Sequence, residues 1–183
     1  MEGIQFQDSL AVNAITLEWA DSIDKKVCQD FVVGERTQIG SVQDWARFRS
    51  ILAPTLLVSS IEFRPHDIYS VMGQPCFPDM KAEEFTAMLS APTHAGHPLV
   101  HAQHLLGGAK YEKVSDSEIV AVHQILAAHQ HYVDIDQSIV AYHGHNHGTV
   151  KHRYKKNNGV WKLAGVQPES YWLEHDFDKI FAP

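Results

Sequence analysis

Three histidine-bearing stretches could do chemistry near neutral pH. Thirteen histidines stand among 183 residues, and imidazole is the side chain whose charge changes between pH 5 and 8. His104 sits in Val100-His101-Ala102-Gln103-His104-Leu105-Leu106, where period-2 alternation sets Ala102, His104 and Leu106 on one strand face. His129 follows in Ala127-Ala128-His129-Gln130-His131. Adjacent antiparallel strands bring two such imidazoles within reach of one small molecule, and the pair can divide acid and base roles. Each alone reads more readily as a hydrogen-bonded core histidine; Ala127 and Ala128 leave room for a ligand beside the second. The third stretch, His143-Gly144-His145-Asn146-His147, puts three imidazoles on one strand face. Histidines at i and i+2 ligate zinc or iron, but no Glu or Asp follows closely. The expectation is a polar strand face of the kind found at subunit interfaces, with no metal.

Asp24 ends the first helical stretch. The helix dipole disfavours an anion at that end, so its placement has no local cause, and its plain reading is a solvated helix-end acid. A carboxylate bonded to one nitrogen of an imidazole would instead fix the tautomer and raise the basicity of the other nitrogen.

The elements that must position these groups follow from periodicity. Residues 9–24 read as an amphipathic helix with Leu10, Ala14, Leu17 and Ala20 at helical spacing. Residues 42–53 read as a second, with Trp45, Phe48, Ile51 and Leu52 apolar and Pro54 just beyond. Lys25–Gly40 between them is a long connection. Thr55–Phe63 is strand-like, Arg64–Asp79 with its prolines and glycine is loop, and 81–89 is a short helix. Leu99–Val114, Glu118–Val133, Ser138–Lys155 and Val160–Tyr171 then read as strands, with Asn157-Asn158-Gly159 a strong hairpin signal. A short helix, Asp176–Phe181, follows. Helices first and a long meander after imply α+β: a curved, mostly antiparallel sheet whose concave face the helices cover, over a single domain spanning 1–183.

Composition excludes several classes. The net charge of −7 argues against nucleic acid or an anionic membrane as partner. No run is apolar and long enough to span a bilayer, and the first ten residues carry no signal-peptide pattern. Two cysteines make no disulfide framework, so a cytoplasmic, reducing setting is expected.

Ordered matches along the chain carry a family resemblance. Glu18-Trp19-Ala20-Asp21-Ser22-Ile23-Asp24, Ala53-Pro54-Thr55-Leu56, Ala82-Glu83-Glu84-Phe85, Gln103-His104 with Gly107-Gly108, and Tyr111-Glu112-Lys113-Val114-Ser115 come first. His123-Gln124, His129-Gln130, Gly144-His145, Tyr154-Lys155-Lys156, Gly159-Val160-Trp161-Lys162 and Asp176-Phe177-Asp178-Lys179-Ile180-Phe181 follow. Over that span the chain resembles scytalone dehydratase, a cofactor-free lyase of fungal melanin synthesis. The resemblance implies the NTF2-like cone shared with nuclear transport factor 2 and ketosteroid isomerase, a homotrimer, and no cofactor. It places the catalytic histidines on His104 and His129 and the orienting aspartate on Asp24, which is expected to hold His129.

The departures concern substrate recognition. Two tyrosines that hold a water against the substrate carbonyl in the family fall on Ile23 and Ser60, and a serine and an asparagine that contact substrate fall on Gly148 and Val150. Asn146 lies among the same lining positions. Loss of bulk at Ser60 and Gly148 is expected to enlarge the pocket. Each lost donor removes enolate stabilisation of roughly 3–4 kcal/mol. Two insertions, at about 25–44 and 64–79, set the chain apart, and Tyr69 in the second is a candidate replacement phenol. The resulting expectation is water elimination from a hydroaromatic polyketide of fungal secondary metabolism, whose product gains aromaticity. The alternatives are isomerisation, cyclisation or retro-aldol cleavage in the same pocket, and a non-catalytic ligand-binding protein, since fold alone does not imply activity.

Overall fold

The structure is a computed structural model; it describes residues 3–33, 36–59 and 76–181, with the backbone alone over 26–33 and 36–43. Helix α1 (Phe6–Asp24) leads into strands β1 (Lys26–Val33) and β2 (Arg36–Gln43), helix α2 (Trp45–Ile51), strands β3 (Leu52–Ser59) and β4 (Cys76–Lys81), and helix α3 (Ala82–Leu89). Four long strands follow: β5 (Val100–Ser115), β6 (Glu118–Tyr132), β7 (Val140–Asn157) and β8 (Val160–His175), then a 3-10 turn at Phe177–Lys179. The main sheet has the order β4-β3-β8-β7-β6-β5, with β3 and β8 parallel and every other pair antiparallel. This is the NTF2-like α+β cone.

The meander is built as the alternation implies. Asn158 and Gly159 take φ of 49° and 81° between β7 and β8, the left-handed pair that a two-residue hairpin turn requires. Helix α2 starts where Asp44 accepts the Arg47 backbone N–H at 2.9 Å, one of the donors that a helix N-terminus otherwise leaves unpaired. It ends before β3, burying Phe48 and Ile51. Phe85 and Leu89 of α3 close over the same core.

Several expectations are corrected. The buried face of α1 is Val12, Thr16, Trp19, Ala20 and Ile23; Leu10 and Leu17 point outward and are 47% and 62% exposed. The larger Trp19 sets which stripe turns inward, because it offers more apolar area to bury than either leucine. Lys25–Gly40 is no plain connection: β1 and β2 pair in antiparallel register from Lys26↔Gln43 to Val33↔Arg36, as a separate two-stranded sheet. Residues 76–79, read as loop, belong to β4, which pairs with β3 through Ser59↔Cys76 and Leu56↔Met80. Ser60 and Tyr69, with most of the second insertion, lie outside the described residues.

Candidate active site

The site begins with the inner face of the meander. His104 lies opposite Ala127, and Ala127 opposite Asn146, so the three form one row across β5, β6 and β7. His129 sits one row along, opposite Ala102 on one side and Gly144 on the other. Helix α1 crosses in front of β5 and delivers Asp24 to this surface.

Asp24 holds His104 with both oxygens. Its Oδ2 accepts the His104 backbone N–H at 2.6 Å and its Oδ1 lies 2.5 Å from ring Nδ1. Both side chains are largely buried, at 16% and 14% exposure. Charge-assisted bonds of this length are about twice as strong as neutral ones, and they account for an acid at the wrong end of a helix dipole. The carboxylate assigns the ring proton to Nδ1 and leaves Nε2 for chemistry. This corrects the expected pairing: Asp24 orients His104, not His129. The reason is the path of α1, which ends against β5, whereas β6 lies one strand further in.

His129 has the opposite environment. Its ring is edge-on to Phe177 and Phe181, with centroids 5.3 and 5.5 Å away, and 6.2 Å from the His104 ring. Its Nδ1 is buried with no hydrogen-bond partner among the described residues. Burial first, and then the neighbouring His104, pushes its pKa down to about 3, so this imidazole is neutral throughout the physiological range. The two histidines are thus in unlike surroundings: one is held by a carboxylate, the other is buried beside aromatic rings and kept neutral.

Below the pair lies a polar cluster that residue spacing did not single out. Tyr154 OH lies 2.5 Å from Thr16 Oγ1, 3.2 Å from His152 Nδ1 and 3.3 Å from His123 Nε2. Burial raises the phenol pKa and lowers those of both histidines. Trp19 bridges the two levels, with ring centroids 5.2 Å from His104 and 4.8 Å from His152. Trp19 Nε1, Asn146 Oδ1 and His152 Nε2 are buried without a partner among the described residues. Buried polar groups are normally satisfied, and these atoms are the exceptions near the histidine pair. The available signal was the period-2 run Val150, His152, Tyr154 on the inward face of β7.

The remaining positions divide. Ile23 and Val150 are 5% and 1% exposed and belong to the apolar core. Asn146 faces inward and donates to Ser170 Oγ at 2.9 Å. Gly148 does not enlarge the pocket as expected: a Cβ there would lie 1.9 Å from the Glu169 carbonyl oxygen. The β7–β8 register shifts at that point, and the backbone of β8 fills the space. Gly144 is a comparable case, where a Cβ would lie 2.5 Å from Phe177 Cα; its bareness lets Phe177 reach His129. A separate surface groove lined by Ile4, Tyr111, Lys113 and Val114 carries none of these groups.

The fold is an NTF2-like cone, and its curved sheet holds a carboxylate-held histidine beside a neutral one. The family model described as scytalone dehydratase matches residues 3–183. The chain is 42% identical over 179 residues to scytalone dehydratase PfmaJ of Pestalotiopsis fici, covering 98% of this chain and 80% of that protein. It is 39% identical to scytalone dehydratase arp1 of Aspergillus fumigatus, covering 97% and 90%. The chain belongs to the scytalone dehydratase family, and a dehydratase-type enzyme is its class. Solved structures share the fold at low identity. The Kfla4162 protein of Kribbella flavida has a TM-score of 0.64 at 14% identity, covering 92% and 93% of the two chains. The hexachlorocyclohexane dehydrochlorinase LinA-type3 of Novosphingobium barchaimii has 0.61 at 12%, covering 92% and 90%. No helix among the described residues is long and apolar enough to cross a membrane.

Proposed function

We propose that this protein removes water from a partly reduced aromatic polyketide, with no cofactor in the reaction, and that its two histidines carry unequal roles. The observation that carries this reading is the double grip of Asp24 on His104 with a neutral His129 ring 6.2 Å away.

His104 is the proton carrier. Its Nε2 takes the proton from the carbon next to the substrate ketone, and Asp24 stabilises the imidazolium that forms. The same imidazolium then returns the proton to the departing hydroxyl. One C–H and one C–O bond break, a C=C bond forms, and the proton leaves as part of water. His129 cannot serve as an acid of ordinary strength, because its conjugate acid is absent at neutral pH. A neutral imidazole N–H can still polarise a carbonyl, a role known where a lowered pKa keeps histidine uncharged. That donor stands in for the phenols missing at Ile23 and Ser60. Trp19 Nε1 and Asn146, both with unpartnered buried atoms, are the further polar contacts proposed for substrate. Aromatisation of the product lowers the demand on these donors.

The test is conversion of hydroxy-dihydronaphthalenone and hydroanthraquinone substrates by wild type, His104→Ala and His129→Ala, followed by mass. Loss of one water by wild type and abolished turnover in His104→Ala are expected. Mass-conserving conversion would replace dehydration with isomerisation or cyclisation, and unchanged turnover in both variants would sink the proposal. The homotrimer implied by resemblance is a separate proposal, checked by light scattering.

A further inference from the structure

The outer face of the same sheet holds a second histidine cluster that the elimination does not use. His145 and Glu174 are directly opposite in the β7–β8 ladder, as are His147 and Trp172. Directly opposite residues project to the same side, and that side is the one turned away from His104 and His129. The carboxylate absent from the histidine run itself is therefore supplied by the neighbouring strand. Glu174 Oε2 lies 3.6 Å from His145 Nδ1 and 3.2 Å from His147 Nε2. Its Oε1 accepts the Trp172 indole N–H at 3.1 Å, and the Trp172 ring stacks on His147 at 4.5 Å. The carboxylate is thus oriented before anything binds.

His175 is the third member. It ends β8 with φ of 58°, in the left-handed region that non-glycine residues seldom adopt, histidine being among the more tolerant. That turn brings its ring to 5.3 Å from His145 and 4.6 Å from His143. The ligating atoms of His145, Glu174 and His175 all lie within 4.8 Å of one another. Ligands at tetrahedral angles around zinc at ~2.0 Å stand roughly 3.3 Å apart, so small rotamer adjustments of a half-buried pair and an exposed ring close the set.

We infer that His145, Glu174 and His175 form a site for a zinc-class divalent metal ion, with a fourth position open to solvent. Two imidazoles and one carboxylate are the donor set of borderline ions, and too poor in oxygen for calcium or magnesium. Trp172 and His147 support the carboxylate as outer partners do in metal sites. The ion would lie across the sheet from the reacting atoms and take no part in elimination. Its effect is mechanical: it ties the end of β8 to β7, two residues before Phe177, whose ring packs against His129.

The experiment uses untagged, chelator-treated protein titrated with cobalt(II) by visible absorption and with zinc by calorimetry. One ion per chain is expected, with cobalt bands of a nitrogen–oxygen site that zinc abolishes, and a raised Tm. His145→Ala, Glu174→Gln and His175→Asn should each weaken binding tenfold or more; Asn also tolerates the left-handed backbone at 175. His143→Ala should keep the affinity within about threefold, a modest loss beside the 10–100-fold typical even of outer-shell changes. Absence of saturable one-to-one binding in wild type overturns the inference. So does undiminished binding in the three variants, or loss in His143→Ala with retention in Glu174→Gln.

Discussion

The two faces of the main sheet put histidines beside a carboxylate to different ends. Inside, one carboxylate serves one imidazole at 2.5 Å, the neighbouring imidazole is stripped of water, and the two rings become chemically unlike. Outside, one carboxylate faces two partly exposed imidazoles at 3.2 and 3.6 Å, and the exposed His175 ring lies 5.3 Å from one of them. The proposed elimination uses the first arrangement, because a carboxylate-held ring can carry the proton while a neutral one only donates a hydrogen bond. Metal capture needs the second, because it requires several similar donors at one point. Burial and strand side separate them; residue type does not.

The largest expected effect tests the inner half of this comparison. His104→Ala should lower kcat by about 10³-fold or more, within the range for a positioned acid–base group, whereas His145→Ala should leave single-turnover elimination within about twofold, because an outer-face residue adds nothing made only in the transition state. Equal losses would erase the distinction between faces. Next comes Asp24→Asn, expected to cost 10²–10⁴ in kcat with KM little altered, as when a triad's orienting carboxylate is replaced. The double variant Asp24→Asn/His104→Ala should be no slower than His104→Ala alone, since the aspartate acts through that ring. An additive loss would return Asp24 to a different partner.

Acid should then distinguish the faces by stability. The folded-state pKa of His129, about 3, lies below its ordinary value near 6.5, so the unfolded chain binds the proton first. Stability is therefore flat above about pH 6.5 and falls as pH drops toward 3, by up to ~1.4 kcal/mol per pH unit for each such group. His152 and His123, also lowered by burial, add in the same direction. Between about pH 6.5 and 5.5 the lowered carboxylates Asp8, Asp21, Glu83, Asp116, Glu174 and Asp176 are ionised in the folded and the unfolded chain alike and contribute little slope. Urea unfolding across that window should show the decline, less steep in His129→Gln. The smallest effect expected is that of Gly144→Ala. Its methyl would meet the Phe177 backbone and should cost about 1–3 kcal/mol, typical of overpacking, with a weaker hold of Phe177 on His129 seen as a raised His129 pKa by NMR.

Much of this was legible in residue order, and the exceptions share a cause. The four long strands fall within a few residues of their alternating runs, and Asn158-Gly159 makes the turn its chemistry dictates. Local signals suffice there because each is decided by neighbours in sequence. Asp24 was identifiable as an acid without local purpose, but its partner was not, since the choice between His104 and His129 depends on where α1 ends over the sheet. The α1 face was misjudged because Leu10 and Leu17 repeat at helical spacing as well as Val12, Thr16, Trp19 and Ile23 do; only the core they meet decides. Glu174 could not be joined to His145 from spacing, since the ladder that pairs them is non-local. The β1–β2 hairpin did leave a trace in Val27, Val32, Val33, Thr37, Ile39 and Val42, β-formers on either side of Gly34.

The parallel pairing of β3 with β8 fixes when the molecule can finish. Strand β3 is made early in synthesis, yet one of its two partners in the main sheet is the last long strand to emerge. The first turns of α1 wait as well, because Asp8 accepts bonds from Lys156 and the Trp161 indole at 2.9 and 2.7 Å. Contacts this distant in sequence make folding slow, since the loop entropy is lost before the contacts form. A nascent chain that has yet to release β8 leaves β3 and β7 unjoined and the cone open. Refolding followed by the part of the tryptophan fluorescence that Trp161→Phe removes, and by recovery of turnover, should therefore show both arriving together, in the slowest phase.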